Sequence, residues 1–378
     1  MKARILIGDA RKRLAELPSG SVRTCITSPP YFGLRDYGTA SWDGGDPECP
    51  HTGKPMATKA NINRNTGGND VKNATALEFF RERCERCGAM RVDSQMGLEE
   101  TPDAYVEEMV FLFREVRRVL ADDGTLWLNL GDSYSGSGKG PAGNLGAKHD
   151  ERNMEHTKAS GNVPNGLKPK DLMGIPWRVA LALQADGWYL RQDIIWSKPN
   201  PMPESVTDRC TKSHEYVFLL SKSARYYYDH VAVKEPIADS TIGRTKRGVS
   251  SENKNINGAP GQTKHSLAQP RDYDADRPVA ELRNKRDVWT IASKPFKGAH
   301  FAVMPEALVE PCVLAGSEAG DTVLDPFTGS GTVAVVALRH GRNFVGTELN
   351  SEYGEIAKDR ITKAAPMFNE VVIDDEMV

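Results

Sequence analysis

The chain has 378 residues, 39% of them hydrophobic, and a formal net charge of −2, so it can bury a large core in one big domain or two smaller ones. The near-neutral balance argues against a protein that coats nucleic acid along its whole surface, while leaving a local basic groove open. No apolar run approaches the roughly 18 residues of a membrane span. The start Met1–Arg4 leads straight into a strand pattern, so neither a membrane span nor a signal peptide is expected. Six cysteines in so long a chain fit a reducing, cytoplasmic compartment.

In chain order, residues 3–8 read as a strand ending at Asp9, and Leu14 and Leu17 mark a short helix stopped by Pro18-Ser19-Gly20. Val22–Thr27 is a second strand that runs into Ser28-Pro29-Pro30-Tyr31. Two successive prolines forbid helix and ladder continuation, so this tetrapeptide forms a rigid extended corner whose carbonyls have few local donors. The plainer alternative is a proline corner that merely ends a strand.

Residues 36–99 form a polar insertion carrying Cys49-Pro50-His51 and Cys84-Glu85-Arg86-Cys87-Gly88. Cys-x-x-Cys-Gly is a knuckle in which two thiolates face one ion. Cys49 and His51 complete a tetrahedral set, which predicts a structural zinc closing a long loop. The alternatives are surface thiols beside a bystander pair, or a redox Cys-x-x-Cys that lacks a thioredoxin-like setting.

Thr101-Pro102-Asp103 opens a helix whose apolar Val106, Met109, Val110, Phe113, Val116, Val119 and Leu120 recur at helical spacing, with Arg114, Arg117 and Arg118 on a solvated face. Asp123-Gly124 turns the chain into the strand Thr125–Leu130, which leads to Asp132. Residues 135–171 read as a long mobile loop of the kind that contacts substrate. A helix over 175–184, a strand over 188–196 and a hairpin-related strand over 215–220 follow. Residues 232–288 are again polar and rich in Arg and Lys, as phosphate and base-edge contacts require, or as a solvated insertion would be.

A helix over 300–316 returns the chain to the strand Thr322–Leu324 and then Asp325-Pro326-Phe327-Thr328-Gly329-Ser330-Gly331-Thr332. Strand, glycine-rich turn and helix are how an α/β sheet presents a cofactor at the carboxyl edge of a strand. The next strand, Asn343–Thr347, ends in Glu348, an acid about 20 residues on and placed for ribose hydroxyls. A nucleoside-containing cofactor is therefore expected. A helix through Tyr353, Ile356 and Ala357 and a frayed tail over 367–378 end the chain. Asp9, Ser28, Asp132, Asp325 and Glu348 all fall at carboxyl ends of expected parallel strands, which share one crevice.

Asp325–Thr332 together with Ile26-Thr27-Ser28-Pro29-Pro30-Tyr31 resembles the S-adenosylmethionine-dependent DNA amino-methyltransferases, in the permuted group whose catalytic motif precedes its cofactor motif. The resemblance implies a Rossmann-like class I methyltransferase fold, a mostly parallel seven-stranded sheet with helices on both faces. Its catalytic domain would comprise 1–35, 100–134, 172–222 and 289–366, with target recognition near 232–288. It further implies that Asp325 holds the amino-acid end of S-adenosylmethionine, with Pro326, Phe327, Gly329, Ser330, Gly331 and Thr332 around it. Glu348 would hold the ribose and Asp9 the adenine edge, while His300 and Phe301 close over the methionine carboxylate. Ser28 and the Pro29 carbonyl would accept hydrogen bonds from the exocyclic amine of a flipped base, followed by Pro30, with Tyr31 stacking on its face.

The substrate implied is double-stranded DNA, with a cognate restriction endonuclease as a further partner; the oligomeric state, monomer or dimer, stays open. A Ser at the first position accompanies cytosine N4 more often than adenine N6, and both remain. Pro-Pro-Tyr enzymes acting on RNA guanine or a protein glutamine amide carry Asn there and reverse the motif order. An inactive zinc-bearing DNA-binding protein of the same fold is the remaining alternative.

Overall fold

The computed structural model describes residues 1–33, 39, 41–46, 48–49, 84, 86–135, 166–247, 281–293, 303–364 and 370–374. Most of the segments expected as a mobile loop and as a target-recognition region lie outside the described residues, as do His51, His300 and Phe301.

In chain order the elements are β1 Lys2–Ile7, α1 Ala10–Ala15, β2 Val22–Thr27, β3 Ser41–Asp43, β4 Met90–Val92, α2 Pro102–Val119, β5 Leu120–Leu130 and α3 Ile175–Ala185. There follow β6 Tyr189–Ser197, β7 His214–Ser221, β8 Glu235–Pro236, α4 Asp239–Arg247, β9 Leu282–Arg283 and β10 Val288–Thr290. The chain continues with α5 Glu306–Gly316, β11 Thr322–Asp325, α6 Thr332–Arg339, β12 Asn343–Glu348, α7 Ser351–Ala364 and β13 Glu370–Asp374.

The main sheet has nine strands in the order β10-β6-β7-β5-β2-β11-β12-β1-β13. Only β7 runs antiparallel to its neighbours, pairing with β5 on one side and β6 on the other. The expected seven strands are thus extended by one at each edge. The tail is not frayed throughout: its alternating Glu370-Val371-Val372-Ile373-Asp374 pairs in parallel with β1, and Val371 and Ile373 pack on the core. At the other edge, three residues centred on buried Trp289 pair with β6.

Each central strand feeds two cores by simple alternation. Leu6, Cys25 and Leu126 face α1, α2 and α3, while Ile5, Ile26 and Trp127 face α5, α6 and α7. The start of α2 follows its sequence signals, since the Thr101 hydroxyl accepts from the Ala104 amide at 3.1 Å and Pro102 opens the first turn. Its arginines do not form one solvated face. Arg118 donates to the Leu14 and Leu17 carbonyls, both at 2.8 Å, satisfying the end of α1, and Arg114 pairs with Asp186 at 2.6 Å. Asp123-Gly124 is not the start of a strand but a bulge within β5, where the register against β2 shifts. Among the described residues no helix is long and apolar enough to cross a membrane.

Candidate active site

Because β1, β12, β11, β2 and β5 are mutually parallel, their carboxyl ends meet along one edge. Asp9, Ser28, Asp132, Asp325 and Glu348 follow or end these strands, as the sequence predicts.

Asp325 is only 2% exposed, and its carboxylate accepts from the Thr27 hydroxyl at 2.6 Å and the Phe327 amide at 3.0 Å. Burial pushes its pKa up to about 7. The two hydrogen bonds oppose that rise, and the nearby Glu348 charge adds to it. Glu348 accepts from the Gly329 amide at 2.7 Å and the Asn350 amide at 3.0 Å, and burial raises its pKa as well. Gly331 adopts φ +75 to cap α6, and a Cβ there would stand 3.1 Å from that of Ala357. Pro326 continues the turn, its carbonyl accepting from the buried Thr347 hydroxyl at 2.5 Å.

Ser330 and Thr332 do not offer open hydroxyls to the crevice. Both are nearly buried, and they accept from Arg360 of α7 at 3.1 and 2.8 Å. Arg360 also meets Glu306 at 3.1 Å, so a cation from another helix braces the turn from behind. Asp9 caps α1 and is paired through its carboxylate with Arg11 at 2.6 Å, and Arg11 reaches Glu108 at 2.7 Å.

The Ser28–Tyr31 corner is held differently. The Tyr31 hydroxyl lies 2.9 Å from Glu215 and 3.2 Å from Asn129, with the Ser28 hydroxyl 3.4 Å away. Glu215 is ion-paired on its other oxygen with Lys198. Burial, then the Glu215 charge, pushes the Tyr31 phenol well above its ordinary range, so the ring stays neutral. Gly131 lets the ring sit flush, because a Cβ there would come within 2.6 Å of Tyr31 Cε2. Pro30 is anchored by the Tyr105 hydroxyl, which donates to its carbonyl at 2.9 Å. Asp132 turns aside, accepting from the Gly174 and Ile175 amides at 3.1 Å each and so capping α3.

Cys49, Cys84 and Cys87 converge with their sulfurs all within 4.8 Å of one another. Cys49 Sγ and Cys84 Sγ are 3.8 Å apart, far beyond a disulfide. Two ligands at about 2.3 Å from a tetrahedral ion stand about 3.8 Å apart, so the spacing fits zinc thiolates.

Sequence reasoning missed Thr27, Asn129, Gly131, Lys198, Glu215 and Arg360. One signal for Glu215 was present: an antiparallel strand begins where its parallel neighbours end, so its first residues border the crevice. Arg360, exposed by pattern on a terminal helix, carried none.

A sequence profile of the DNA methylase family matches residues 22–359. The chain is 40% identical over 361 residues to Type II methyltransferase M.Cfr9I of Citrobacter freundii, covering 95% of this chain and 87% of that one. It is 40% identical over 360 residues to Type II methyltransferase M.SmaI of Serratia marcescens, covering 95% and 91%. Among solved structures, a Thermus thermophilus protein described as a putative DNA modification methylase and complexed with S-adenosyl-L-methionine matches with TM-score 0.52 and 20% identity over 100% of this chain and 99% of that one. PvuII DNA methyltransferase, described as cytosine-N4-specific, matches with TM-score 0.52 and 16% identity, covering 99% and 95%. At those identities the solved structures show the fold alone.

Proposed function

The chain belongs to the N6/N4 DNA methylase family, a Type II DNA methyltransferase using S-adenosylmethionine, and from that premise we propose that it methylates N4 of cytosine in duplex DNA. The observation that supports methyl transfer in this crevice most is the junction of the two motifs; the choice of cytosine rests on Ser28 alone. Thr27, the residue before Ser28, donates to Asp325 at 2.6 Å across 298 positions of sequence, so the corner and the turn are hydrogen-bonded to each other at the base of the crevice.

The crevice fits the cofactor. The Gly329 and Asn350 amides occupy part of a carboxylate's roughly four acceptor sites, leaving partly buried Glu348 room for ribose hydroxyls. Asp325, Phe327 and Gly329 would border the methionine and ribose parts; His300 and Phe301 are proposed to cover its carboxylate end. When bound, S-adenosylmethionine would supply an electrophilic methyl on a sulfonium sulfur that keeps the bonding pair, and the amine that takes the methyl would release one proton to solvent.

The chain's own task is to make a poor nucleophile attack in line. The exocyclic amine is delocalised into its ring. Acceptors at Ser28 and the Pro29 carbonyl would draw the nitrogen toward sp³ character and aim its lone pair. Tyr31, neutral and fixed at its hydroxyl, gives a flipped base a stacking face that offsets part of an unstacking cost of a few kcal/mol. In the family this chain resembles, Ser at the first position of the tetrapeptide accompanies cytosine N4 more often than adenine N6, and Ser28 is what tips the proposal to cytosine.

A structural zinc held by Cys49, Cys84, Cys87 and His51 completes the reading, in a cytoplasmic protein working beside a cognate endonuclease. Digesting DNA modified by the enzyme to nucleosides should yield N4-methylcytosine by mass spectrometry. N6-methyladenine alone would reassign the base while leaving the family intact.

A further inference from the structure

The cysteine cluster lies at the far end of a short ribbon whose near end is bonded to the catalytic corner. At the far end, the Cys84 amide donates to the Ala89 carbonyl at 2.7 Å and the Gly88 amide to the Cys84 carbonyl at 2.9 Å, forming a tight knuckle. Gly45 lets the incoming chain pass beneath it, since a Cβ there would come within 2.7 Å of Cys87 Sγ. Between knuckle and corner, β3 and β4 pair antiparallel, Ser41 opposite Val92 and Asp43 opposite Met90. The Thr39 hydroxyl donates to Asp93 at 3.1 Å and continues the join. At the near end the Gly33 amide donates to the Gly97 carbonyl at 2.8 Å. Gly97, at φ +92, is so close that a Cβ would stand 3.1 Å from the Tyr31 carbonyl and 3.2 Å from that of Pro30. Arg11, paired with Asp9, donates to the Ser94 carbonyl at 3.3 Å, tying the same strap to the cofactor edge.

Two paired strands of three residues each are too short to persist on their own. Closing the loop that separates Cys49 from Cys84 carries an entropic cost that a metal–thiolate centre offsets. We infer that a metal ion on Cys49, Cys84 and Cys87 closes a clasp that positions the Ser28–Tyr31 corner, so that metal occupancy sets the rate of methyl transfer. The inference rests on the zinc reading above and extends it from local stability to catalysis. The cysteines are positioning residues: they act on the substrate only through the ribbon, Gly97 and the backbone of residues 31–33.

The test uses the full-length protein as purified, after chelation, and after reloading with zinc. Metal analysis should give one zinc per chain, and cobalt in its place should show thiolate charge-transfer absorption. On removal, hydrogen exchange should speed up at Gly33 and at residues 94–97, while β1 and β11 keep their protection. Single-turnover transfer to duplex DNA at saturating cofactor should fall about tenfold or more, with cofactor affinity held within about twofold, and zinc should restore both. Gly97→Ala should keep the zinc and show the same kinetic loss. If that variant unfolds, Thr39→Val should give a smaller loss of the same kind. A zinc-free protein that is fully active as purified would overturn the metal reading itself. Zinc that can be removed with Gly33 exchange and transfer rate unchanged would overturn the clasp while leaving the zinc site standing.

Discussion

The Asp325–Thr332 turn and the Ser28–Tyr31 corner sit at the ends of adjacent strands, β11 and β2, yet they are held in different ways. Apart from the Thr27 hydroxyl that reaches Asp325 across the seam, the turn is supported from within 30 positions of sequence: Asp325 by Phe327, Gly329 by Glu348, and Ser330 and Thr332 by Arg360. The corner borrows its support from far away, through Tyr105, Gly97, Gly131, Asn129 and Glu215. A turn braced mainly from its own end of the chain should tolerate changes elsewhere and fail in affinity when that brace is cut. A corner held by distant elements should fail in rate, because angle and position at the reacting amine depend on them.

The largest separation of those two behaviours is expected at Glu215. Glu215→Gln keeps a hydrogen-bond partner for Tyr31 but removes the charge that faces Lys198, leaving a partly buried cation uncompensated. Single-turnover transfer should drop by about tenfold or more with cofactor binding nearly unchanged. Equal losses in rate and cofactor affinity would erase the distinction between the halves.

Arg360→Ala cuts the brace of the turn. It strips the donor from Ser330 and Thr332 and removes one partner of Glu306. Denaturant unfolding should show a loss of about 1–3 kcal/mol, and cofactor affinity should weaken more than the rate at saturation. A pure rate defect would place the turn in the same class as the corner.

The smallest expected effect lies at the seam. Asp325 binds its proton more tightly when folded, at about 7, than at its ordinary 3.8. Its contribution to stability is therefore complete below the ordinary value and lost as pH rises through about 7. In the cofactor-free protein, melting temperature should decline across that window, and Asp325→Asn should flatten the decline. An unchanged slope would show that the carboxylate is not the titrating group.

The same contrast explains what could be read from the sequence. Parallel strands, their crevice and the glycine turn were legible because alternation and turn chemistry are local. The helix α2 was legible for the same reason, through Thr101 and Pro102. Arg118 looked solvated because nothing local shows that the end of α1 lies beneath it. Glu215 and Lys198 passed as strand and loop residues, since only the antiparallel insertion of β7 between β5 and β6 brings them near Tyr31, whereas Gly131 meets the ring from the end of β5 beside β2. The edge strand β13 was missed because five alternating residues gain meaning only beside an open β1. Cys49, Cys84 and Cys87 were legible by spacing and do converge, whereas the link from their ribbon to Gly33 was not visible in any motif.

Ser28, at the corner, is proposed to direct methyl transfer from a cofactor seated on the Asp325 turn to an exocyclic amine of duplex DNA. Transfer of labelled methyl from S-adenosylmethionine to duplex DNA, compared between the native protein and Ser28→Ala, tests it most directly. Label should appear on the DNA with the native protein and fall by about a hundredfold or more in the variant, with cofactor affinity the same in both. Equal transfer by the variant, or no transfer to DNA by a native protein that binds the cofactor, would contradict it.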